Sequence, residues 1–294
     1  GICMSFSSIR EMLQACQESR QPLYEVILES DLAESGLTRA ESEAEMHRLW
    51  SVMRATSDGY CGADRSMSGF VGGDAAKVEQ AAARGTLYAS GYFASVMAEA
   101  LKTAECNACM KRIVAAPTAG SCGVVPAVFL TLEEEKHFSE EKMVEALYVA
   151  AGIGGVIANR AFLAGAAGGC QAEIGSASAM AAGGVAYLMG GDAEQISHAA
   201  ALALKNLLGL ACDPVAGLVE VPCVKRNVMG AVNAMTSSDM VMAGITSKIP
   251  PDEVIDAMRA IGRSMSEDIR ETGKGGLAGT PTGVAIRERM AGTL

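Results

Sequence analysis

"SEEKMVEALYVAAGIGGVIA", residues 139–158, decides how this chain folds. Ser139 stands before an acidic turn, the setting of a helix N-cap whose hydroxyl accepts from an otherwise unpartnered backbone N–H. The stretch runs on into "VAAGIGGVIANRAFLAGAAGG" (149–169), whose apolar length raises the question of a membrane span. Asn159 and Arg160 interrupt it, and Ala and Gly make it weakly hydrophobic, so it reads as a buried helix pair and not a span. Small residues let helices approach closely, and 33 Gly and 17 Met among 294 residues, with aromatics at only 4%, suit such a core.

Helical signals continue on both sides. Thr38 and Glu41 have capping-box spacing ahead of "RAESEAEMHRLWSVMRAT", where Met46, Leu49, Trp50 and Met53 recur on one face. "YASGYFASVMAEALKTAE" (88–105) reads as a helix. So does "DAEQISHAAALALKNLLGL" (192–210), with Asp192 as cap and Gly209 near its end. "PPDEVIDAMRAIGRSMSEDI" (250–269) places proline before an acidic first turn. "KRIVAA" (111–116) is the one candidate strand. The expected fold class is all-α: one mainly helical catalytic domain over residues 1–294, with Gly-rich loops at its site. The first 60 residues read as an appended helical segment.

The net charge of −10 and the lack of a basic tract exclude nucleic acid as a partner. "GICMSFSSIREML" has no basic region followed by an apolar run, so no secretory leader and no membrane association are expected, and the compartment expected is the cytoplasm. Nine cysteines, an odd number, then read as reduced thiols or metal ligands.

Gly-containing loops punctuate the helices: "DRSMSGFVGGDAAK" (64–77), "APTAGSCGVVPAV" (116–128), "GGCQAEIGSASAMAAGG" (168–184) and "ACDPVAGLVEVPC" (211–223). None is a Walker A or dinucleotide fingerprint, and a Gly-rich turn alone says little. Cys170 follows Gly168-Gly169 and precedes a helix, a place where a thiol's pKa is expected to be lowered. Cys212 and Cys223 end a loop stiffened by Pro214 and Pro222. Three thiolates without a fourth suit an iron–sulfur cluster with one open iron. Zinc is the other reading, although it favours close cysteine pairs. Cys106 and Cys109 form one such pair, but no second pair and no histidine accompany it, so both read as structural, as do Cys3, Cys16, Cys61 and Cys122.

Taken together, "APTAGSCGVVPAV", "GGCQAEIGSASAMAA", "ACDPVAGLVEVPCVKRN" and "ETGKGGLAGTPTG" resemble the α chain of bacterial iron–sulfur L-serine dehydratases, from about Ser5 to about Gly283. The resemblance implies a [4Fe–4S] cluster with one open iron, held by Cys170, Cys212 and Cys223. It implies conversion of L-serine to pyruvate and ammonia without pyridoxal phosphate, the open iron acting as a Lewis acid. A related lyase acting on L-cysteine or L-threonine, and a non-catalytic metal-binding subunit, are the alternatives. Thr118, Gly120 and Ser121 are expected to cradle substrate, with Ser66 and Ser68 second. Glu173 either orients a ligand or the substrate ammonium, or caps its helix. Lys77, Lys225 and Lys274 are candidate bases or cations, each with the alternative of a solvated surface charge, and Arg226 is placed to hold a carboxylate or tune the cluster. His47, His137 and His198 carry no site signal.

Single-chain members of the family carry an N-terminal domain with a Ser-Ser-His-Thr motif, which is absent here. The expected assembly is therefore an oligomer of the two-chain type, whose β chain supplies that region and an essential residue. Some single-chain members also end in a cysteine that reaches the open iron. This sequence ends "RERMAGTL", so that self-ligation is not expected.

Overall fold

Ser139 behaves as its place in the sequence demands: its hydroxyl accepts from the Lys142 N–H and opens a helix over Glu140–Arg160. A computed structural model describes residues 6–292, and Cys3 lies outside them. In chain order the helices are α1 (Ile9–Ser19), α2 (Leu23–Ser35), α3 (Arg39–Asp58), α4 (Asp74–Arg84), α5 (Tyr92–Ala108), α6 (Val124–Lys136), α7 (Glu140–Arg160), α8 (Gly165–Gly168), α9 (Ser176–Leu188), α10 (Ala193–Lys205), α11 (Cys223–Met242), α12 (Pro251–Ser264) and α13 (Pro281–Ala291). The described residues form an all-α structure without a strand.

Capping chemistry sets several of these starts. Thr38 and Glu41 satisfy each other's backbone N–H groups at the head of α3, and Asp192 and Gln195 do the same for α10. Three predicted helices are shorter than their sequence pattern. The 88–105 helix begins at Tyr92, because Gly91 sits at φ 55°, ψ −125°, outside helical space. The 192–210 helix stops at Lys205, and the chain then turns through Gly209 at φ 87°. The 250–269 helix stops at Ser264, and Ser266 caps a separate short turn over Glu267–Ile269. "KRIVAA" is extended but is not a strand. A strand needs a ladder partner, and the helices beside it have spent their own backbone groups. Thr56 Oγ1 takes the Arg112 carbonyl instead, at 3.0 Å.

The core centres on α9, every residue of which is buried. It packs against α6, α7, α10 and α11. Gly183 and Gly184 let α7 and α6 come close, since a Cβ at either would collide with Ile153 or the Phe129 ring. Helix α7 buries Met143, Leu147, Ile153 and Ile157 against this centre, which answers the question its sequence raised. No helix among the described residues is long and apolar enough to cross a membrane. The N-terminal helices contribute Ile9, Met12, Ile27, Met46 and Trp50 to the same apolar cluster.

A buried carboxylate joins α5 to α4. Glu105 Oε1 accepts from Ala75 N at 2.8 Å, and Oε2 accepts from Tyr60 OH at 3.0 Å. Burial raises its pKa, while these hydrogen bonds oppose the shift and Asp74 adds to it. Ionising Glu105 therefore costs more in the folded than in the unfolded chain. Stability falls as pH rises from the ordinary value of 4.5 to the raised folded value, and stays at that lower level above both. Glu105→Gln, which cannot ionise, should gain stability relative to wild type through that window. Thermal midpoints measured for both proteins across it test this, and a constant difference would sink it.

Candidate active site

The glycine before Cys170 cannot be another residue. Gly169 lies at φ 75°, and a Cβ on it would meet Met265 Sδ at 2.6 Å and Leu210 O at 2.8 Å. This turn delivers Cys170 to the head of one wide turn, Gln171–Gly175, that leads directly into α9. Gln171 fixes the turn to the approach of the next cysteine. Its N–H donates to Leu210 O at 3.0 Å, its Oε1 accepts from Gly209 N at 2.9 Å, and its Nε2 donates to Met258 O at 3.1 Å.

The loop carrying Cys212 is held on three sides. Cys212 N donates to Ile269 O at 2.9 Å, and Glu271 N donates to Cys212 O at 3.0 Å. Asp213 pairs with Arg226 at 3.0 Å and accepts from Leu277 N at 2.7 Å. Val215 N donates to Val221 O at 2.9 Å and closes the loop on itself. Cys223 then opens α11. One turn on, Asn227 Nδ2 donates to Cys223 O and Gly120 O, each at 2.9 Å, and its Oδ1 accepts from Gly123 N at 3.0 Å. Asn227 thereby joins the 116–128 loop to the third cysteine.

Glu173 links these parts. Thr118 Oγ1 donates to its Oε1 at 2.7 Å and lies 3.0 Å from Ser121 Oγ. Cys212 Sγ is 3.9 Å from Glu173 Oε2. Gly165 leaves room here: a Cβ on it would lie 2.6 Å from Glu173 Oε2 and 2.7 Å from Cys212 Sγ. The structure thus gathers Cys170, Cys212, Cys223, Thr118, Gly120, Ser121 and Glu173.

The charges in this place are unbalanced. Burial pushes the Cys170 thiol up to about 11, although the Arg226 guanidinium pulls the other way. This corrects the lowered value expected of a helix start: burial outweighs the helix end. Burial also raises Cys212, with the Glu173 carboxylate and then Cys170 adding to it, and pushes Cys223 up to about 12, with Cys170 adding. Burial raises Glu173 too, against the Thr118 hydrogen bond. Three thiols and a carboxylate that all resist charge make a site suited to a positively charged guest. Among the described residues, no three His, Cys, Asp or Glu side chains could hold one metal ion. The three thiols therefore do not converge on one point.

Residues 10–278 match the family model of the serine dehydratase alpha chain. The chain belongs to that family. It is 44% identical to a probable L-serine dehydratase alpha chain of Bacillus subtilis, covering 98% of this chain and 96% of that one. It is 42% identical to the L-serine dehydratase alpha chain of Peptoniphilus asaccharolyticus, over 96% and 97%. It is 35% identical to an L-serine dehydratase of Helicobacter pylori, covering 95% of this chain but only 63% of that longer one.

Other candidates stand apart from the cysteines of this alpha-chain fold. Lys77 is exposed on α4, 3.4 Å from Asp74. Lys225 and Lys274 are exposed on segments that border the site. Ser66 and Ser68 both give their hydroxyls to Glu220, Ser68 at 2.6 Å. His47 faces Glu140 at 3.3 Å, His198 faces Glu194 at 3.3 Å, and His137 closes α6. Cys106 is buried with its Sγ 3.8 Å from Thr56 O. Gln171, Glu220 and Asn227 are the site residues that sequence reasoning missed. Asn227 had a local signal, four positions after Cys223 on a helix.

Proposed function

We propose that this chain is the catalytic chain of an iron–sulfur L-serine ammonia-lyase, converting L-serine to pyruvate and ammonia. The observation that carries this reading is the meeting of two buried thiols, Cys170 and Cys212, and the half-buried Cys223 around Glu173, in a chain matched almost end to end by L-serine dehydratase alpha chains. A [4Fe–4S] cluster fits this donor set better than a single ion. Each of the three thiolates would ligate a separate iron, so the sulfurs need not converge on one point. The group's positive charge would also offset the burial, and the neighbouring negative charges, that hold the thiols protonated. Cys170, Cys212 and Cys223 would hold it. When bound, such a cluster supplies an open Lewis-acidic iron that eases departure of the substrate hydroxyl.

The chain's own residues bind and orient. Glu173, held by Thr118, is placed to receive the substrate ammonium, whose positive charge would favour the carboxylate form that burial alone opposes. Ser121 and the backbone at Gly120, anchored by Asn227, shape the floor beneath it. Arg226 lies within reach of Cys170 and offsets negative charge there. Among the described residues the three histidines pair with other groups or end a helix away from these cysteines, and the candidate lysines are exposed. On this reading a β chain supplies the acceptor for the Cα proton. The greater length of the Helicobacter pylori relative supports a second polypeptide unit. A reducing compartment, the cytoplasm, suits an enzyme that needs these cysteines as free thiols.

Iron, sulfide and zinc content of the chain purified without air tests the reading, followed by serine-dependent pyruvate formation with the β chain added. About four irons and four sulfides per chain are expected. Zinc, or no metal after reconstitution, would refute the cluster. Faster turnover of L-threonine or L-cysteine would reassign the substrate.

A further inference from the structure

We infer that the rim of this site is the docking face for the β chain, whose matching surface is an apolar patch flanked by carboxylates. The inference rests on the two-chain reading above. Met67, Phe70, Val219, Val221 and Leu277 are large apolar side chains between 38% and 62% exposed. They come from three distant segments that hydrogen bonds already draw together. Ser66 and Ser68, on either side of Met67, bind Glu220, which lies between Val219 and Val221. Leu277 N donates to Asp213 in the same cysteine loop. Phe70 lies under the Arg289 guanidinium of α13 at 5.0 Å. Val219 reaches inward as well, its Cγ1 only 3.6 Å from where a Cβ on Gly120 would stand. The apolar rim is thus continuous with the floor of the site.

Scattered apolar residues are ordinary on a protein surface, but a group at the mouth of a site is not. Methionine and aromatic side chains are enriched at the centres of interfaces. Lys225 and Lys274, exposed beside this group, form no ion pair among the described residues, in a chain of net charge −10. Carboxylates on the partner would meet them, which supports orientation and rate of encounter. The occupant follows from length and chemistry. The Helicobacter pylori relative carries the same fold with over a third of its length besides, whereas the two alpha-chain relatives do not. That additional polypeptide must reach the substrate if it is to supply the missing proton acceptor. A partner seated on this rim buries the apolar group and reaches the site in one contact.

The test measures affinity for the β chain with the iron-loaded chain kept free of air. Met67→Asp, Val219→Asp and Leu277→Asp should each weaken binding at least tenfold. Ile249→Asp, an equally exposed apolar residue before α12, should not. Thermal midpoints of all four variants check that each is folded. If wild type binds no β chain, the two-chain reading fails and takes the inference with it. If wild type binds and the rim variants bind equally well, the reading stands and the docking face is wrong. Rim variants that convert a wild-type homodimer to monomer, while β-chain binding persists, would give the face to a second copy and overturn the assignment.

Discussion

Cys212→Ala should strip the chain of iron and visible absorption and lower serine-dependent pyruvate formation below detection. Three thiolates hold three of the four irons, so losing one would leave a second iron without a protein ligand and remove a corner of the site, not a fraction of the affinity. Cys170→Ala and Cys223→Ala should do the same. The fold should survive, because Cys212 is anchored through its backbone to Ile269 and Glu271. The helical signal in circular dichroism should therefore be unchanged. Substituting Cys106 and Cys109 together is the control. Both belong to the end of α5, where burial raises both thiols and Cys106 Sγ faces Thr56 O. That double variant should keep its iron and most of its activity. Iron lost from it and retained in Cys212→Ala would reverse the ligand assignment.

Some of this architecture was plain in the sequence because its causes are local. Ser139, Thr38 and Asp192 cap their helices through groups three residues away, so the pattern is visible in four letters. The apolar length of α7 and its interruption at Asn159-Arg160 separate a buried helix from a membrane span without coordinates. Other features have distant causes. "KRIVAA" has strand-like composition, but no neighbouring strand exists to pair with it. The Cys170 thiol stands at a helix start, yet it is buried, because its turn is held through Gln171 to Leu210 and Met258, far along the chain. Asn227 reaches Gly120 across 107 positions and Glu220 reaches Ser66 across 154. Ser66 and Ser68 carry hydroxyls suited to a substrate, and packing gives those hydroxyls to Glu220 in the loop between two cysteines. Composition and spacing select residue types, and packing decides which of them meet.

Glu173→Gln should separate cluster binding from substrate binding. The amide keeps the size of the carboxyl group and can still accept from Thr118, so the geometry around Gly165 and Cys212 should hold. Iron content should then match wild type. The amide cannot ionise when an ammonium arrives, so the attraction that holds the ammonium in place while the Cα proton leaves is lost. In a site this buried, such a contact is worth more than at a surface, since little water screens it. A fall in kcat/KM for L-serine of about 100-fold or more is expected, by analogy with the loss of one preorganised electrostatic contact. Thr118→Val should act in the same direction by about tenfold, because the Thr118 hydroxyl orients that carboxylate and loses one charge-assisted hydrogen bond. In the double variant the two effects should not add, as expected for groups that act through one contact. Steady-state kinetics of the four proteins, each normalised to bound iron, decides the matter. Unchanged kcat/KM in Glu173→Gln would remove the residue from substrate binding, and iron lost in proportion to activity would make its role that of a support for Cys212.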